Sequence, residues 1–241
     1  MAARPVKQSA ATGPVMTVGE VVDNLRSRAR PENLPGMARY GLTPAGRLGV
    51  SVPEMRDLAR RIGRNHRLAL QLWRTEWQEA RMLASMIADP HTLTVQQMNA
   101  WVRDLDSWDV CDQVCMNLFG RTPLAWGRAR LWTRRKAEFV RRAGYVLCAC
   151  LAVSDKAAPD ERFHSLLPVI VQGATDQRNY VKKAVSWALR QIGKRNAPLQ
   201  AAAVKTARKI RSLDSAPARW IASDVLRDLQ RQRLRRRRRP A

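Results

Sequence analysis

A chain of 241 residues, 45% of them hydrophobic, is long enough for one good-sized core or for a continuous stack of repeats. Its 44 lysines and arginines face only 20 acids, a net charge of +24, which falls to +17 without the seven arginines at 231, 233 and 235–239, so the body itself is basic. That balance excludes an ordinary near-neutral enzyme and points to a polyanionic partner, nucleic acid ahead of membrane; no run of about twenty apolar residues is present to span a bilayer.

Residues 1–15 are rich in Ala, Pro and Gly without an apolar period and are expected to be a disordered segment. From Thr17 onward the chain reads as helix after helix punctuated by Pro, Gly and Asn. The pattern predicts helices near 17–30, 32–40, 53–63, 65–75, 76–88, 94–106, 108–119, 123–134, 137–152, 160–174, 177–195, 197–211 and 215–232, with no alternating strand. Ser51, Thr94 and Thr122 stand where N-caps would start three of them. The fold class expected is all-α. Successive helices form antiparallel pairs whose second members begin near 76, 108, 137, 177 and 215. A period of roughly 30–40 residues is that of HEAT-like repeats, which stack into a superhelix, here with a concave basic face; a non-repetitive helical bundle is the other architecture this pattern allows. The domain expected is a single repeat domain over 16–230, followed by a polyarginine tail over 231–241.

Four cysteines do not build a disulfide framework. Cys111 and Cys115 are one turn apart, Cys148 and Cys150 fall on different faces, and buried thiols in a reducing, cytoplasmic compartment are the expectation. His66, His91 and His164 are scattered, so neither a metal nor another cofactor is expected.

Three helices carry the chemistry. In the stretch 107–120, SWDVCDQVCMNLFG, Ser107 is a candidate N-cap and Asp109 suits the first turn. Trp108 and Asp112 are four apart, an indole and a carboxylate on one face, at the shoulder of a core stripe of Val110, Cys111, Val114 and Leu118. Taken alone, Trp108 reads more readily as a half-buried packing residue and Asp112 as a paired surface acid than as a site. Over 137–152, Phe139, Val140, Val146, Leu147 and Cys150 cover an apolar side, with Arg141, Arg142 and Tyr145 opposite. Over 177–195, Val181, Val185, Ala188 and Ile192 make a tight apolar stripe, and Tyr180, Lys183, Trp187, Arg190 and Lys194 a second, cationic one. Basic residues interleaved with aromatics suit a phosphate backbone with its sugars and bases. The other tryptophans, 73, 77, 101, 126, 132 and 220, are assigned to packing. No phosphate-cradling glycine loop, Ser/His/Asp grouping or acidic Mg²⁺ cluster is found.

The segments GVSVPEMRDLAR (49–60), LWRTEWQEARMLASMIADP (72–90), SWDVCDQV (107–114), FVRRA (139–143) and YVKKAVSWALRQIGK (180–194) resemble the AlkD-like DNA alkylation-repair glycosylases, a family of HEAT-like repeats. The likeness runs from about Thr17 to Leu229 and omits the arginine tail. Carried over position by position, it implies Trp108, Asp112 and Trp187 as the active site and Arg142 as a DNA-backbone contact, with Arg141 adjacent. Tyr145, Lys183, Arg190 and Lys194 complete the expected DNA-binding set. The activity implied is excision of N3-alkyladenine and N7-alkylguanine from duplex DNA by a monomer that needs no cofactor and no membrane. Two other classes stand against it. A non-catalytic repeat protein that binds nucleic acid would need the charge but not a placed carboxylate. A protein-binding scaffold would need neither.

Overall fold

A computed structural model of the chain describes residues 16–237, with side chains through Leu234. The expected N-terminal disorder and the last four residues lie outside the described residues. All regular structure among the described residues is helical, and none of these helices is long and apolar enough to cross a membrane. The chain divides into two compact units at Asp89/Pro90.

The first unit holds α1 (Val18–Arg26), α2 (Leu34–Arg39), α3 (Val52–Ile62), α4 (His66–Trp73) and α5 (Gln78–Ile87). Thr17 and Ser51 start α1 and α3 with reciprocal capping boxes to Glu20 and Glu54. Hydrogen bonds from Ser51 and Arg30 hold the Glu54 carboxyl down at about 2. Glu79 on α5 is buried, and one carboxylate oxygen accepts from the backbone amides of Leu48 and Gly49 at 3.0 and 2.9 Å. This acceptor ties the loop before α3 to α5. Gly49 has φ +77°, and a Cβ there would run into the Arg30 carbonyl, so only glycine serves.

The second unit holds α6 (Val95–Arg103), α7 (Trp108–Asn117), α8 (Ala125–Trp132), α9 (Glu138–Ser154), α10 (Asp160–His164), α11 (Leu167–Gly173), α12 (Asn179–Lys194), α13 (Ala197–Arg211) and α14 (Ala216–Arg237). Helices α7, α9, α12 and α14 pack one on the next. Contacts between them step together along both partners: the Cys111 thiol donates to the Phe139 carbonyl and the Cys115 thiol to that of Ala143, while Arg190 meets Asp224 and Lys194 meets Asp228. Equal steps of four residues make these neighbours parallel, as in stacked helical repeats.

Several local expectations change. The helix expected over 160–174 is two, because Pro168 in the first turn of α11 has no N–H to continue the ladder from α10. Thr94 caps α6 through a box with Gln97, but Thr122 does not cap α8; its hydroxyl donates to the Phe119 carbonyl and closes a 3₁₀ turn. The final helix does not stop at 232 but runs to Arg237, into the arginine tail.

The largest change is α9. The amphipathic reading fails because every residue from Arg142 to Ala152 is buried, the helix being flanked by α7, α8 and α12. Tyr145 is 1% exposed. Its hydroxyl donates to the Val169 carbonyl at 3.3 Å, and burial pushes its pKa up to about 12. It belongs to the core and offers nothing to DNA. All four cysteines are free and buried, and burial pushes the Cys148 thiol up to about 12.

Tyr145 also sets a steric requirement. A Cβ built on Gly173 collides with the Tyr145 hydroxyl. Gly173→Ala would gain about 1 kcal/mol of helix propensity, whereas overpacking a closed core costs about 1–3 kcal/mol. The melting temperature of Gly173→Ala should therefore fall; a rise would show that the ring has somewhere to go.

Candidate active site

The site grows from the start of α7. Ser107 occupies the N-cap position, but its hydroxyl is buried without a partner and caps nothing. Instead, the Asp109 carboxylate accepts from the Val110 amide at 2.9 Å, supplying the negative charge the first turn favours. Val110, Cys111, Val114 and Leu118 are buried as the stripe requires. Trp108 and Asp112 remain half-buried at its shoulder.

Across from Asp112 stands Arg142 of α9. Its Nε donates to Asp112 Oδ1 at 3.0 Å and its Nη2 to Oδ2 at 2.8 Å, a two-pronged ion pair. Its Nη1 donates to the Tyr180 carbonyl in the first turn of α12 at 2.6 Å. One guanidinium thus joins three helices. Arg142 is 5% exposed, and the Asp112 side chain is 14% exposed. Burial pushes the Asp112 carboxyl above the usual range, against the opposing charge and hydrogen bonds of Arg142. For Arg142 burial is the largest influence and works downward, but the charge and hydrogen bonds of Asp112, with Cys111 and Cys115 beside it, together outweigh it and hold the guanidinium above its ordinary value. A carboxylate accepts at about four lone-pair sites. With each oxygen accepting one hydrogen bond from Arg142, about two sites are left unused by that pair.

Tyr180 enters this geometry although sequence reasoning left it out of the site. Its ring stacks on Phe139, with centroids 5.7 Å apart and planes 30° apart, and its carbonyl holds Arg142. Trp187 does not sit at this level. It is half-buried on α12, seven residues beyond Tyr180 and so about 10 Å further along the axis. The usable signal for the pair was register: opposite charges at 112 and 142 lie one repeat apart on neighbouring parallel helices.

The sequence profile of the DNA alkylation repair enzymes matches residues 21–224. The chain belongs to the DNA alkylation repair enzyme family. No curated protein matches it in sequence. A solved structure described as a new family of proteins related to the HEAT-like repeat DNA glycosylases, with affinity for branched DNA structures, superposes with a TM-score of 0.76 at 20% identity, over 91% of this chain and 96% of that one. This is a likeness of fold, a HEAT-like stack of helices. A designed armadillo repeat protein in complex with the peptide (KR)4 follows at TM-score 0.41 and 13% identity, over 88% and 93% of the two chains, too loose a likeness to bear on function.

Against the DNA alkylation repair resemblance, the expected DNA-contacting cations divide sharply. Arg142 cannot serve as a backbone contact: it is buried, and three of its nitrogens already donate inside the protein. Arg141 meets Asp176 at 3.3 Å, and Asp176 in turn pairs with Arg178 at 2.6 Å. Burial would raise the Asp176 carboxyl, yet these arginines hold it below its usual range. The cationic stripe of α12 is largely neutralised by α14, where Asp224 takes Arg190 at 3.4 Å and Asp228 takes Lys194 at 2.6 Å. Lys183 is exposed. Trp73, Trp101 and Trp132 are core residues, but Trp220 is 40% exposed with Lys182 over its ring at 4.8 Å.

Proposed function

We propose that the chain is a DNA glycosylase that releases positively charged alkylpurines, such as N3-alkyladenine and N7-alkylguanine, from duplex DNA in base excision repair. The observation that carries this reading is the buried Asp112–Arg142 pair: a carboxylate held in one orientation beside Trp108, with part of its acceptor surface open. An alkylated purine already bears a positive charge. When its glycosidic bond breaks, the electron pair goes to the purine and neutralises it, so no general acid is required, unlike ordinary glycoside hydrolysis. Positive charge develops on the deoxyribose, where Asp112 stabilises it. Water then adds to the anomeric carbon, and Asp112 accepts the proton it gives up. Arg142 fixes the carboxylate and does not touch the substrate. Trp108 and the aromatic surface of α12 face the sugar and the cationic base. Exposed cations, Lys183 among them, hold the duplex.

Which aromatic residue of α12 matters can be measured. Tyr180→Ala, at the level of the ion pair, should slow single-turnover excision by about tenfold, a loss of the order of a cation–π contact in a desolvated site. Trp187→Ala should slow it less. The opposite ranking would return Trp187 to the centre of the site.

A second reading, a non-catalytic nucleic-acid-binding protein, is favoured by the affinity for branched DNA ascribed to the similar structure. Base release from methylated duplex DNA by the full chain separates the two. Release above the uncatalysed rate sustains the glycosylase; tight binding without release leaves the binder.

A further inference from the structure

Within the second unit, a cleft of about 360 Å³ opens between α6, α8 and the start of α9. Arg103 comes from α6, Arg128 from α8, and Arg135 and Lys136 from the link between α8 and α9, above a floor that includes Leu131 and Val140. No carboxylate lines it. Arg128 spends one nitrogen on the Asn99 amide at 3.4 Å. The adjacent Glu138 is not among the lining residues, and its charge acts on Arg178.

The link is held in place. The Thr133 hydroxyl donates to the Arg130 carbonyl, the amides of Arg134 and Arg135 return to Leu131 and Trp132, and Arg178 donates to the Lys136 carbonyl. Four cations line the cleft with no carboxylate among the lining residues, so they repel one another, and an anion there would relieve that repulsion. The cleft also lies on a different side of α9 from Asp112. Val140, which lines it, and Arg142, which holds Asp112, are two residues apart, so about 200° separates them around α9.

We propose that this cleft is a second nucleic-acid site, taking a phosphodiester backbone segment other than the one presented to Asp112. Three of its cations are exposed at the rim, as suits a strand passing across. Its floor is apolar, as suits sugars, and it offers little with which to read a base. The inference does not depend on catalysis at Asp112.

The test uses the full chain and undamaged duplex DNA. In Arg103→Gln/Arg135→Gln the slope of log affinity against log salt should fall by about 2, since each lost phosphate contact removes about 0.9. Lys205→Gln/Lys209→Gln on the exposed face of α13 removes the same charge and should change the slope by less than half as much. Equal changes in the two variants, at unaltered melting temperature, would reduce the effect to net charge and overturn the site. A second readout exploits the burial of all four native cysteines. Leu131→Cys, at an exposed floor position, makes one reactive thiol for a photo-crosslinker. An adduct with duplex DNA that survives a matched concentration of free deoxynucleotide supports the proposal. No adduct, or one that free nucleotide abolishes, refutes a backbone site.

Discussion

Asp112→Asn is expected to lower single-turnover release of N7-methylguanine by about two to three orders of magnitude, the loss typical of a key electrostatic group at a reacting centre. The substitution keeps the size of the side chain and one acceptor for Arg142 but removes the charge that stabilises the sugar. DNA affinity should barely change, because a carboxylate does not attract phosphate. The variant also leaves Arg142 buried opposite a neutral partner, so its rate must be taken well below its own melting temperature. Excision at the wild-type rate by folded Asp112→Asn would remove Asp112 from the mechanism.

Arg142→Gln tests the other half of the pair and should act first on stability. Removing one partner of a buried ion pair typically costs about 3–5 kcal/mol, because the remaining charge is left without compensation. Adding Asp112→Asn should then recover a good part of that loss, which a merely cavity-forming change at 142 would not allow. The pH profile supplies a further sign. Burial raises the Asp112 carboxyl and Arg142 opposes the rise. If the ionised form is the active one, the acid limb of wild-type excision lies above the ordinary carboxylate range. Without Arg142 the opposing influence is gone, so the limb should move to still higher pH. A profile unmoved in folded Arg142→Gln would show that the guanidinium does not tune Asp112. If Arg142 were a phosphate contact, the variant would instead lose DNA affinity and salt slope at unchanged stability.

The two variants answer different questions: the first whether the carboxylate reacts, the second whether the fold was arranged to hold it. A loss of rate in the first without a stability recovery in the double variant would leave a catalytic Asp112 whose partner is incidental.

What the sequence by itself determined is whatever short-range chemistry dictates. The helical class followed from apolar periodicity, and Val181, Val185, Ala188 and Ile192 are fully buried as their stripe on α12 required. Ser51 and Thr94 start their helices because a cap is a contact of a residue with its near neighbours. Trp108 and Asp112 were legible as a pair for the same reason, being one turn apart. Membership of the DNA alkylation repair enzyme family was legible because its motifs are local runs.

Tertiary structure decided the partners. Arg142 looks like a surface cation on a helix with two faces, but α9 is covered by neighbours on every side, and a buried arginine must find a carboxylate. Its carboxylate lies 30 residues upstream, its second acceptor 38 downstream. Arg190 and Lys194 read as a DNA-binding stripe until α14 supplies Asp224 and Asp228. Tyr145 is polar at its tip, but its ring fills the space that Gly173 leaves. Trp187 carries the motif, but it is the Tyr180 carbonyl that accepts from Arg142, because the offset between the helices decides which turn of α12 meets that guanidinium. Helical periodicity reports which side of a helix is apolar. It holds no information on which other helix lies there, and in a stack of repeats that neighbour decides whether a charge meets DNA, solvent or another charge.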